Sequence, residues 1–303
     1  MGSGRLLITG ASGFIGRALV SRLLADECDI AVLVRASKRD RAVAALGGQC
    51  EVIPDDQDTE KLTARLDAWE PDLCLHLATY YVNNARAADI WPLVDSNVAF
   101  GARLAHAFSE AGGQTLIYTS TFSQHRNGEA YEPTILYAAM KEAFADILRY
   151  YTSADRFRVV DLQLFDTYGP GDPRPKIWNL LARAAETGEP LDTTEGQQIL
   201  SPLHVSDAVG ALVHAIGLSA SLARGYHEFR VTGPRSLRLR DAVALFSKAN
   251  DITIPVNWGA RPYSGNEMFE PWDYGEPLPG WSPAVALEDG LRELLRSFRE
   301  ENA

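Results

Sequence analysis

The sequence Leu6-Leu7-Ile8-Thr9-Gly10-Ala11-Ser12-Gly13-Phe14-Ile15-Gly16 leads from a short apolar run into three glycines spaced three residues apart, and an amphipathic pattern follows. This order predicts a strand, a tight turn and the N-terminus of a helix. Such a helix end offers backbone N–H groups to a phosphate, and glycine leaves out the Cβ atoms that would block its approach. We therefore predict dinucleotide contacts at Gly10, Ser12, Gly13, Phe14, Ile15 and Gly16. Because the spacing is not the common G-x-G-x-x-G, a glycine-rich turn in another α/β protein stays open.

The composition excludes several classes of protein. With 303 residues, 46% of them hydrophobic, the chain is long enough for one large domain or two unequal ones. Lys and Arg number 29 against 40 Asp and Glu, a net charge of −11 without a basic stripe, so we expect no nucleic-acid partner. Cys28, Cys50 and Cys74 form no metal-binding pattern and suit a reducing compartment. Without a signal peptide or a long apolar run, we expect a cytoplasmic protein with no membrane contact.

Strand and helix patterns alternate through the first half of the chain, which is typical of a parallel sheet covered by helices on both faces. Strands are predicted at Arg5–Thr9, Ile30–Val34, Cys50–Pro54, Leu73–Leu77, Thr115–Ser120 and Arg158–Leu164. Helices are predicted at Phe14–Ala25, Arg39–Leu46, Glu60–Trp69, Asp89–Ala111 and Thr134–Thr152. Right-handed crossovers make this order a doubly wound α/β fold, with its ligand crevice at the carboxyl ends of the strands. Further cofactor contacts are expected there at Leu77, Ala78, Thr79, Thr119, Leu164 and Phe165.

After Leu164 the sequence becomes rich in turns, which predicts a smaller, irregular C-terminal domain over the crevice. Helices are predicted at Ile177–Thr187, Val205–Ile216 and Pro283–Glu300, and strands near Ile199–Leu203 and Tyr226–Thr232. Pro255–Pro283 is predicted to be mostly loop. We assign residues 1–165 and about 204–234 to the dinucleotide-binding domain, and residues 166–203 and 235–303 to a substrate-binding domain.

Tyr137 and Lys141 are spaced so that a phenol and an ammonium share one face of a predicted helix. A nearby lysine cation favours the phenolate and lowers the tyrosine pKa from its usual value near 10. A tyrosine tuned in this way can donate a proton to a carbonyl or take one from an alcohol. Hydroxyl residues in the stretch 118–123 can hydrogen-bond the substrate oxygen. The alternatives are a surface Tyr-Lys pair and hydroxyls that only favour a strand end.

These motifs together resemble the extended short-chain dehydrogenases/reductases, the nucleotide-sugar epimerase/dehydratase group, over nearly the whole chain. The motifs are Thr9–Gly16, His76-Leu77-Ala78-Thr79, Asn97–Gly101, Thr119-Ser120-Thr121, Tyr137…Lys141, Tyr168-Gly169-Pro170-Gly171 and His204–Asp207. The resemblance implies a Rossmann fold in which Tyr137 is the catalytic acid. Lys141 then holds the nicotinamide ribose and tunes Tyr137. Thr121 matches the family's catalytic hydroxyl residue, with Ser120 and Ser123 as the other candidates.

The resemblance carries further expectations about the surroundings of the site. It implies that Asp55 or Asp56 lies beside the adenine and that Asn97 is structural. His76 and His204 are expected to pack or hydrogen-bond locally. It also implies a homodimer formed through the two long helices predicted at residues 89–111 and 134–152.

The end of the second predicted strand points to the cofactor, because this position contacts the adenosine ribose. An acid there selects NAD, whereas an arginine accommodates a 2′-phosphate. Here the strand Ile30–Val34 ends in Arg35, with Ser37, Lys38 and Arg39 close behind. We therefore predict NADP(H), with Arg35 as the main contact and Ser37 and Lys38 assisting. The alternative is an exposed, basic helix start.

Departures from the family pattern narrow the reaction. Phe122 and Ser123 replace the acidic pair that follows the threonine in sugar-nucleotide 4,6-dehydratases, which makes dehydration unexpected. Two segments, Leu164–Lys176 and 258–268, resemble the branch of CDP-abequose synthase and dTDP-4-keto-6-deoxyhexose reductases. Leu200 replaces an arginine that is frequent in the family, and Asp166 replaces an asparagine. Predicted substrate contacts are Tyr80, Tyr81, Thr121, Phe122, Ser123, Asp166 and Thr167, with Arg174, Lys176 and Arg261 for a diphosphate.

The sequence thus predicts NADPH-dependent reduction of the C4 ketone of a nucleotide-linked 4-keto-6-deoxyhexose. Three alternatives stay open: an epimerase that retains NAD(P), a reductase of a carbonyl compound without a nucleotide, and a non-catalytic protein that senses NADP.

Overall fold

Strand β1 (Leu6–Thr9) is fully buried and lies inside a seven-stranded sheet. The computed structural model describes residues 4–126, 128, 130–265, 267–270 and 272–302. The doubly wound α/β fold predicted from the alternating patterns is confirmed, because all six strand pairs of the sheet are parallel and helices cover both of its faces.

The elements follow one another in strict alternation as far as β6, and then become shorter and more irregular. The strands, in chain order, are β1 (Leu6–Thr9), β2 (Ile30–Arg35), β3 (Glu51–Asp55), β4 (Leu73–His76), β5 (Thr115–Thr121), β6 (Arg158–Leu164), β7 (Asp166–Tyr168), β8 (Leu191–Asp192), β9 (Ile199–Leu200), β10 (Pro202–His204), β11 (Tyr226–Val231), β12 (Leu237–Arg238) and β13 (Val256–Asn257). The α-helices are α1 (Phe14–Ala25), α2 (Arg39–Leu46), α3 (Thr59–Trp69), α4 (Ile90–Val94), α5 (Phe100–Glu110), α6 (Leu136–Ser153), α7 (Ile177–Thr187), α8 (Val205–Ser219), α9 (Leu239–Asn250) and α10 (Leu287–Asn302).

The strand order of the large sheet is β11-β6-β5-β4-β1-β2-β3. The chain builds outward from β1 through β2 to β3, then returns to β4 on the other side of β1 and builds outward again. A crevice opens where the winding direction reverses, at the carboxyl ends of β1 and β4. The predicted strand at residues 226–232 joins this sheet as the edge strand β11, beside β6.

Each face of the sheet has its own apolar core. Helices α1 and α8 cover one face, with buried side chains such as Leu19 and Leu212. Helices α3, α5 and α6 cover the other face, where Phe108 and Phe144 are fully buried. The strands are buried on both faces, which explains why their sequences are nearly continuous apolar runs.

A third apolar cluster lies outside the sheet and holds together the irregular part of the chain. It joins α7, α9 and α10 through buried residues that include Trp178, Phe246 and Leu291. This cluster supports the proposed second domain, with one difference in its extent. Met268, Trp272 and Leu278 pack into the core of the α1 side of the sheet, and the backbone at 276–278 hydrogen-bonds β11 at Arg230. Residues 268–270 and 272–278 therefore cover the edge of the part of the chain assigned to the first domain.

Several predicted elements differ from the structure in their bounds. The helix predicted at 89–111 is interrupted, because the backbone forms a π-helical turn over Asp95–Ala99 between α4 and α5. The predicted strand Ile199–Leu203 is two short strands with different partners. Helix α9 was not predicted, although its buried residues recur at helical spacing.

The last helix starts four residues later than the predicted Pro283, and the reason is a buried carboxylate. Asp207, in the first turn of α8, accepts hydrogen bonds from the backbone N–H of Ala284 at 2.8 Å and of Val285 at 3.3 Å. These bonds fix the chain in a non-helical conformation just before α10. Among the described residues, none of the helices is long and apolar enough to span a membrane.

We expect Asp207→Ala to destabilise the fold by about 1–3 kcal/mol, because two backbone N–H groups lose their buried acceptor. Asp67→Ala, which removes an exposed carboxylate from α3, is the matched control and should change stability by less than about 0.5 kcal/mol. Urea unfolding of both variants measures the difference. Equal stability of the two variants would contradict this role of Asp207.

Candidate active site

The turn between β1 and α1 allows a close approach of other backbone segments. Gly10 has a φ of +72°, and a Cβ atom there would lie only 2.6 Å from the backbone nitrogen of Ala78. A Cβ atom at Gly16 would collide with the carbonyl of Gly10. Gly13 is the N-cap of α1 without a side-chain cap, and it is exposed together with Ser12. The first-turn amides of α1 are thus accessible to a phosphate, as a dinucleotide site requires.

The ends of β1 and β4 are joined by a buried hydroxyl. The Thr9 hydroxyl accepts a hydrogen bond from the Ala78 N–H at 3.1 Å and pairs with Nδ1 of His76 at 2.8 Å. Burial, followed by the Lys141 cation, lowers the pKa of His76 to about 3, so its ring stays neutral. His76 hydrogen-bonds locally, as expected from the sequence.

Asn97 fixes the loop that follows β4. Its side-chain oxygen accepts hydrogen bonds from the Thr79 hydroxyl at 2.6 Å and the Tyr80 N–H at 3.0 Å, and its amide donates to the Tyr80 carbonyl at 2.9 Å. The π-helical turn carries Asn97 toward this loop, and the side chain is only 2% exposed. Thr79 also hydrogen-bonds Tyr137. Asn97 therefore acts on the site by holding its neighbours in place.

Tyr137 and Lys141 are both buried on α6. The Lys141 ammonium lies 5.7 Å from the centre of the Tyr137 ring and donates a hydrogen bond to the Thr119 carbonyl at 2.7 Å. Burial raises the pKa of Tyr137 to about 12, against a smaller lowering by its hydrogen bond with Thr79. The pKa of Tyr137 is therefore raised, whereas the sequence predicted that Lys141 lowers it. Burial also lowers the pKa of Lys141 to about 7.

Thr121 ends β5 and begins a single 3-10 turn, Phe122–Gln124. Its hydroxyl oxygen accepts a hydrogen bond from the Ser123 N–H at 3.3 Å, which leaves its proton available for another acceptor. Ser120 points to the α6 side of the sheet, where its hydroxyl is buried. Phe122 stacks on Phe165 at 4.7 Å between ring centres, so it forms an apolar wall beside the end of β5.

Arg35 ends β2, and its side chain is exposed. Within the described residues its guanidinium makes no hydrogen bond or ion pair. Ser37 and Lys38 follow in a 3-10 turn and are exposed as well. By contrast, the two acids at the end of the next strand and directly after it are engaged by arginines: Asp55 lies 3.3 Å from Arg103, and Asp56 lies 2.7 Å from Arg65.

The predicted substrate residues after β6 form a charged cluster beside Tyr137. Arg174 donates hydrogen bonds to Asp172 at 2.6 and 2.7 Å and to Thr167 at 3.0 and 3.1 Å, and its guanidinium lies 5.0 Å from the ring centre of Phe14. It also lowers the pKa of Tyr137. Arg174 is therefore positioned between the glycine turn and the phenol.

Lys176 and Tyr81 extend this cluster away from the turn. The Lys176 ammonium lies 3.6 Å from the carboxylate of Asp166 and 5.7 Å from the ring centre of Tyr81. The Tyr81 ring in turn meets the Tyr137 ring edge-on at 5.1 Å. Phe14, Tyr81, Tyr137, Arg174 and Lys176 thus form a continuous surface.

Arg261 is the predicted substrate residue that the structure does not join to this cluster. Its backbone pairs with Thr193, and its side chain is exposed, without a contact to the cluster among the described residues. Asn266, in the segment that resembles the reductase branch, lies outside the described residues.

This geometry can be compared with that of known proteins. The model of the NAD dependent epimerase/dehydratase family matches residues 6–226, which include the glycine turn, Tyr137 and Lys141. The chain belongs to this family. Relatives of the chain in this family are named for different reactions.

CDP-abequose synthase from Salmonella muenchen is 23% identical over 96% of this chain and 97% of its own. UDP-glucose 4-epimerase from Mycolicibacterium smegmatis is 28% identical over 98% of this chain and 99% of its own. Among solved structures, UDP-glucuronic acid 4-epimerase from Bacillus cereus in complex with UDP-glucuronic acid and NAD superposes with a TM-score of 0.84 at 20% identity, covering 98% and 99% of the two chains. These similarities show the family and the fold, and leave the reaction open.

Two residues beside the site were not among the predicted site residues. Asp172 holds the Arg174 guanidinium, and its side chain is 2% exposed. Asp161 lies in β6 and is fully buried. The signal for Asp161 was an acid between the apolar residues Val160 and Leu162, which is an exceptional place for a carboxylate.

We expect the stability of Lys141→Met to fall relative to that of the wild type as the pH rises from about 7 toward 10, by on the order of 2–4 kcal/mol. The unfolded chain keeps Lys141 protonated up to its ordinary pKa, whereas the folded chain releases that proton near pH 7. The wild type therefore gains stability from this residue over that range, and the variant does not.

Urea unfolding at about pH 6, 7.5 and 9 measures this difference. Lys248→Met, at an exposed position, is the control, and its stability relative to the wild type should not change with pH over this range. An advantage of Lys141→Met that grows with pH would contradict the interpretation.

Proposed function

We propose that the protein is an NADPH-dependent 4-ketoreductase that acts on a nucleotide-diphosphate-linked 4-keto-6-deoxyhexose. The observation that carries the proposal is Arg35, an exposed guanidinium at the end of β2 that has no partner among the described residues and stands where an NAD site has an acid. The family membership and the cluster around Tyr137 support a reaction at the carbonyl of a nucleotide sugar.

The proposed chemistry needs a protonated phenol. NADPH, if bound, would supply a hydride for C4 of the ketone. Tyr137 would donate its proton to the oxygen on that carbon, which would give an alcohol. Burial favours this role, because a phenol with a pKa of about 12 stays protonated at neutral pH. The Thr121 hydroxyl orients the carbonyl, and Lys141 binds the nicotinamide ribose.

Substrate contacts are proposed on the surface that runs from Arg174 to Tyr81. Arg174 and Lys176 offer positive charge to the diphosphate, in a protein whose net charge of −11 otherwise repels it. Tyr80, Ser123, Asp166 and Thr167 line the sugar, and Phe122 is an apolar wall. Arg261 belongs to the same proposal only if its exposed side chain reaches the nucleotide.

Cofactor contacts are proposed along the carboxyl edge of the sheet. The glycine turn cradles the pyrophosphate, and Ser37 and Lys38 assist Arg35 at the 2′-phosphate. The remaining contacts are Leu77, Ala78, Thr79, Thr119, Leu164 and Phe165, with Asp55 or Asp56 beside the adenine.

An epimerase that retains its cofactor is the second candidate, because UDP-glucose 4-epimerase is 28% identical over nearly the whole chain. An epimerase regenerates its cofactor in every turnover, whereas a reductase consumes one NADPH for each product molecule. Loss of NADPH absorbance with CDP- and dTDP-linked 4-keto-6-deoxyhexoses therefore tests the proposal. Interconversion of UDP-sugars without net loss of NADPH would overturn it.

We expect Tyr137→Phe to lower kcat by about 10²-fold or more, because the forming alkoxide loses its proton donor. NADPH affinity, measured by fluorescence quenching, should change by less than about threefold, since the ring stays in place. Tyr150→Phe, at an exposed position of the same helix, is the control with unchanged kcat. Full activity of Tyr137→Phe would exclude Tyr137 from the reaction.

We expect Arg35→Asp to change the ratio of kcat/KM for NADPH and NADH by about tenfold or more toward NADH. The carboxylate repels a 2′-phosphate and accepts hydrogen bonds from an unmodified ribose. Arg41→Asp makes the same charge change on an exposed turn of α2 and is the control. If both variants change the ratio equally, Arg35 does not select the cofactor.

A homodimer and a cytoplasmic location also stay predictions. The helices expected to form the dimer interface expose Trp91 by 75% and Tyr150 by 67%, which is compatible with a face that a second copy covers.

A further inference from the structure

A row of polar side chains crosses the buried face of the sheet beneath α6. In the strand register, Tyr118 of β5 pairs with Asp161 of β6, and Asp161 pairs with Glu228 of β11. Register partners on neighbouring strands point to the same face. Asp161 is the centre of this row and is fully buried, while the residues around it in β6 are apolar.

Both carboxylate oxygens of Asp161 accept hydrogen bonds. The backbone N–H of Ser120 donates to Oδ1 at 3.2 Å, and the hydroxyl of Tyr226 donates to Oδ2 at 2.6 Å. Hydrogen bonds donated to a carboxylate stabilise its ionised form. An ionised group at this depth requires a nearby positive charge.

Lys141 is the cation that lies over this row on the side of the active site. Its ammonium is 4.7 Å from the centre of the Tyr118 ring, the register partner of Asp161. It donates to the carbonyl of Thr119, one residue before the amide that binds Asp161. Lys141 is only 2% exposed, so its charge also needs a partner inside the protein.

We propose that Asp161 is a positioning residue, the buried counter-charge that keeps the Lys141 side chain an ammonium beneath Tyr137. The catalytic meaning of this pairing rests on the proposed function, in which Lys141 binds the cofactor ribose beside the phenol. The pairing itself depends only on the fold.

The other charged groups that face Asp161 set the strength of this pairing. Glu228 raises the pKa of Asp161, and Tyr226 and Lys141 lower it, while burial has the largest effect and raises it to about 7. On the far side, Arg149 of α6 lies 4.6 Å from the Tyr226 ring centre and 3.8 Å from Glu228. Arg149 is also 2.6 Å from Glu142, so its charge is shared among partners other than Asp161.

The titration of Lys141 tests the pairing without any substrate. The chain has five lysines, Lys38, Lys61, Lys141, Lys176 and Lys248. Carbon-13 labelling of the lysine Cε atoms therefore gives a small NMR spectrum, in which substitution to arginine assigns each signal. The pH midpoint of the Lys141 signal is followed in the wild type and in Asp161→Asn, which keeps the shape of the side chain and removes its charge.

We expect Asp161→Asn to lower the Lys141 midpoint by about 1 pH unit or more, the effect of removing a nearby opposite charge. Glu228→Gln is the matched control: it removes a carboxylate from the same row, leaves Asp161 in place and should not lower the midpoint. Tyr226→Phe keeps the charge but weakens its hydrogen bonding, so a smaller fall is expected. If Asp161→Asn does not fold, the Lys141 midpoint in Tyr226→Phe tests the pairing instead.

An unchanged Lys141 midpoint in folded Asp161→Asn, or a fall of equal size in Glu228→Gln, would overturn the proposal. The basic limb of the kcat profile for ketone reduction should move to lower pH in Asp161→Asn, together with the midpoint. If the Lys141 midpoint falls in Asp161→Asn but the protein reduces no ketone, the pairing of Asp161 with Lys141 is retained and the proposed function is rejected. The pairing and the proposed function can therefore fail separately.

Discussion

The contact between the first turn of α1 and the end of β1 is the constraint on which the molecule is built. No side chain fits between Gly16 and the carbonyl of Gly10, and none fits between Gly10 and the backbone of residues 77–78. Three elements therefore meet backbone to backbone at the point where the sheet reverses its winding. A Cβ atom at Gly10 or Gly16 would push α1 away from the sheet and displace the backbone N–H groups of its first turn.

The irregular part of the chain is docked on the same turn. Arg174 lies over the ring of Phe14, and Arg17 of α1 donates a hydrogen bond to the carbonyl of Gly171 at 2.9 Å. The segment after β6 is thereby tied to the helix that would bind the cofactor phosphates. A displacement of α1 would move both sides of the crevice, which links the cofactor and substrate sites through one helix.

The alternation of apolar strands and amphipathic helices was enough to predict the sheet. A strand that is buried on both faces is apolar along its length, and this pattern can be recognised in each segment by itself. Thr121, Tyr137 and Lys141 could be nominated as site residues because their motifs are local in sequence. The sign of the pKa change at Tyr137 was not predictable in this way. It depends on how deeply α6 packs, because burial has the largest effect on this pKa and raises it.

Contacts between residues that are paired on neighbouring strands could not be predicted from the sequence either. Asp161 was visible only as an acid in an apolar strand, and its relation to Lys141 requires knowing that β5 and β6 are neighbours with Tyr118 opposite Asp161. The π-helical turn that carries Asn97 to the loop after β4 has no sequence pattern of its own. Local propensity cannot encode such geometry, because it is created by packing between distant segments.

The proposed NADP(H) site at the β2–β3 edge rests on a local positive charge in a chain of net charge −11. At long range the negative net charge repels every anion, so an additional phosphate must be met by cations at contact distance. At this edge Asp55 and Asp56 are paired with Arg103 and Arg65, and among the described residues the Arg35 guanidinium has no ion-pair partner. A 2′-phosphate would give that guanidinium a partner, whereas a cofactor without this phosphate would not. This difference is the physical argument behind the proposal that the cofactor is NADPH.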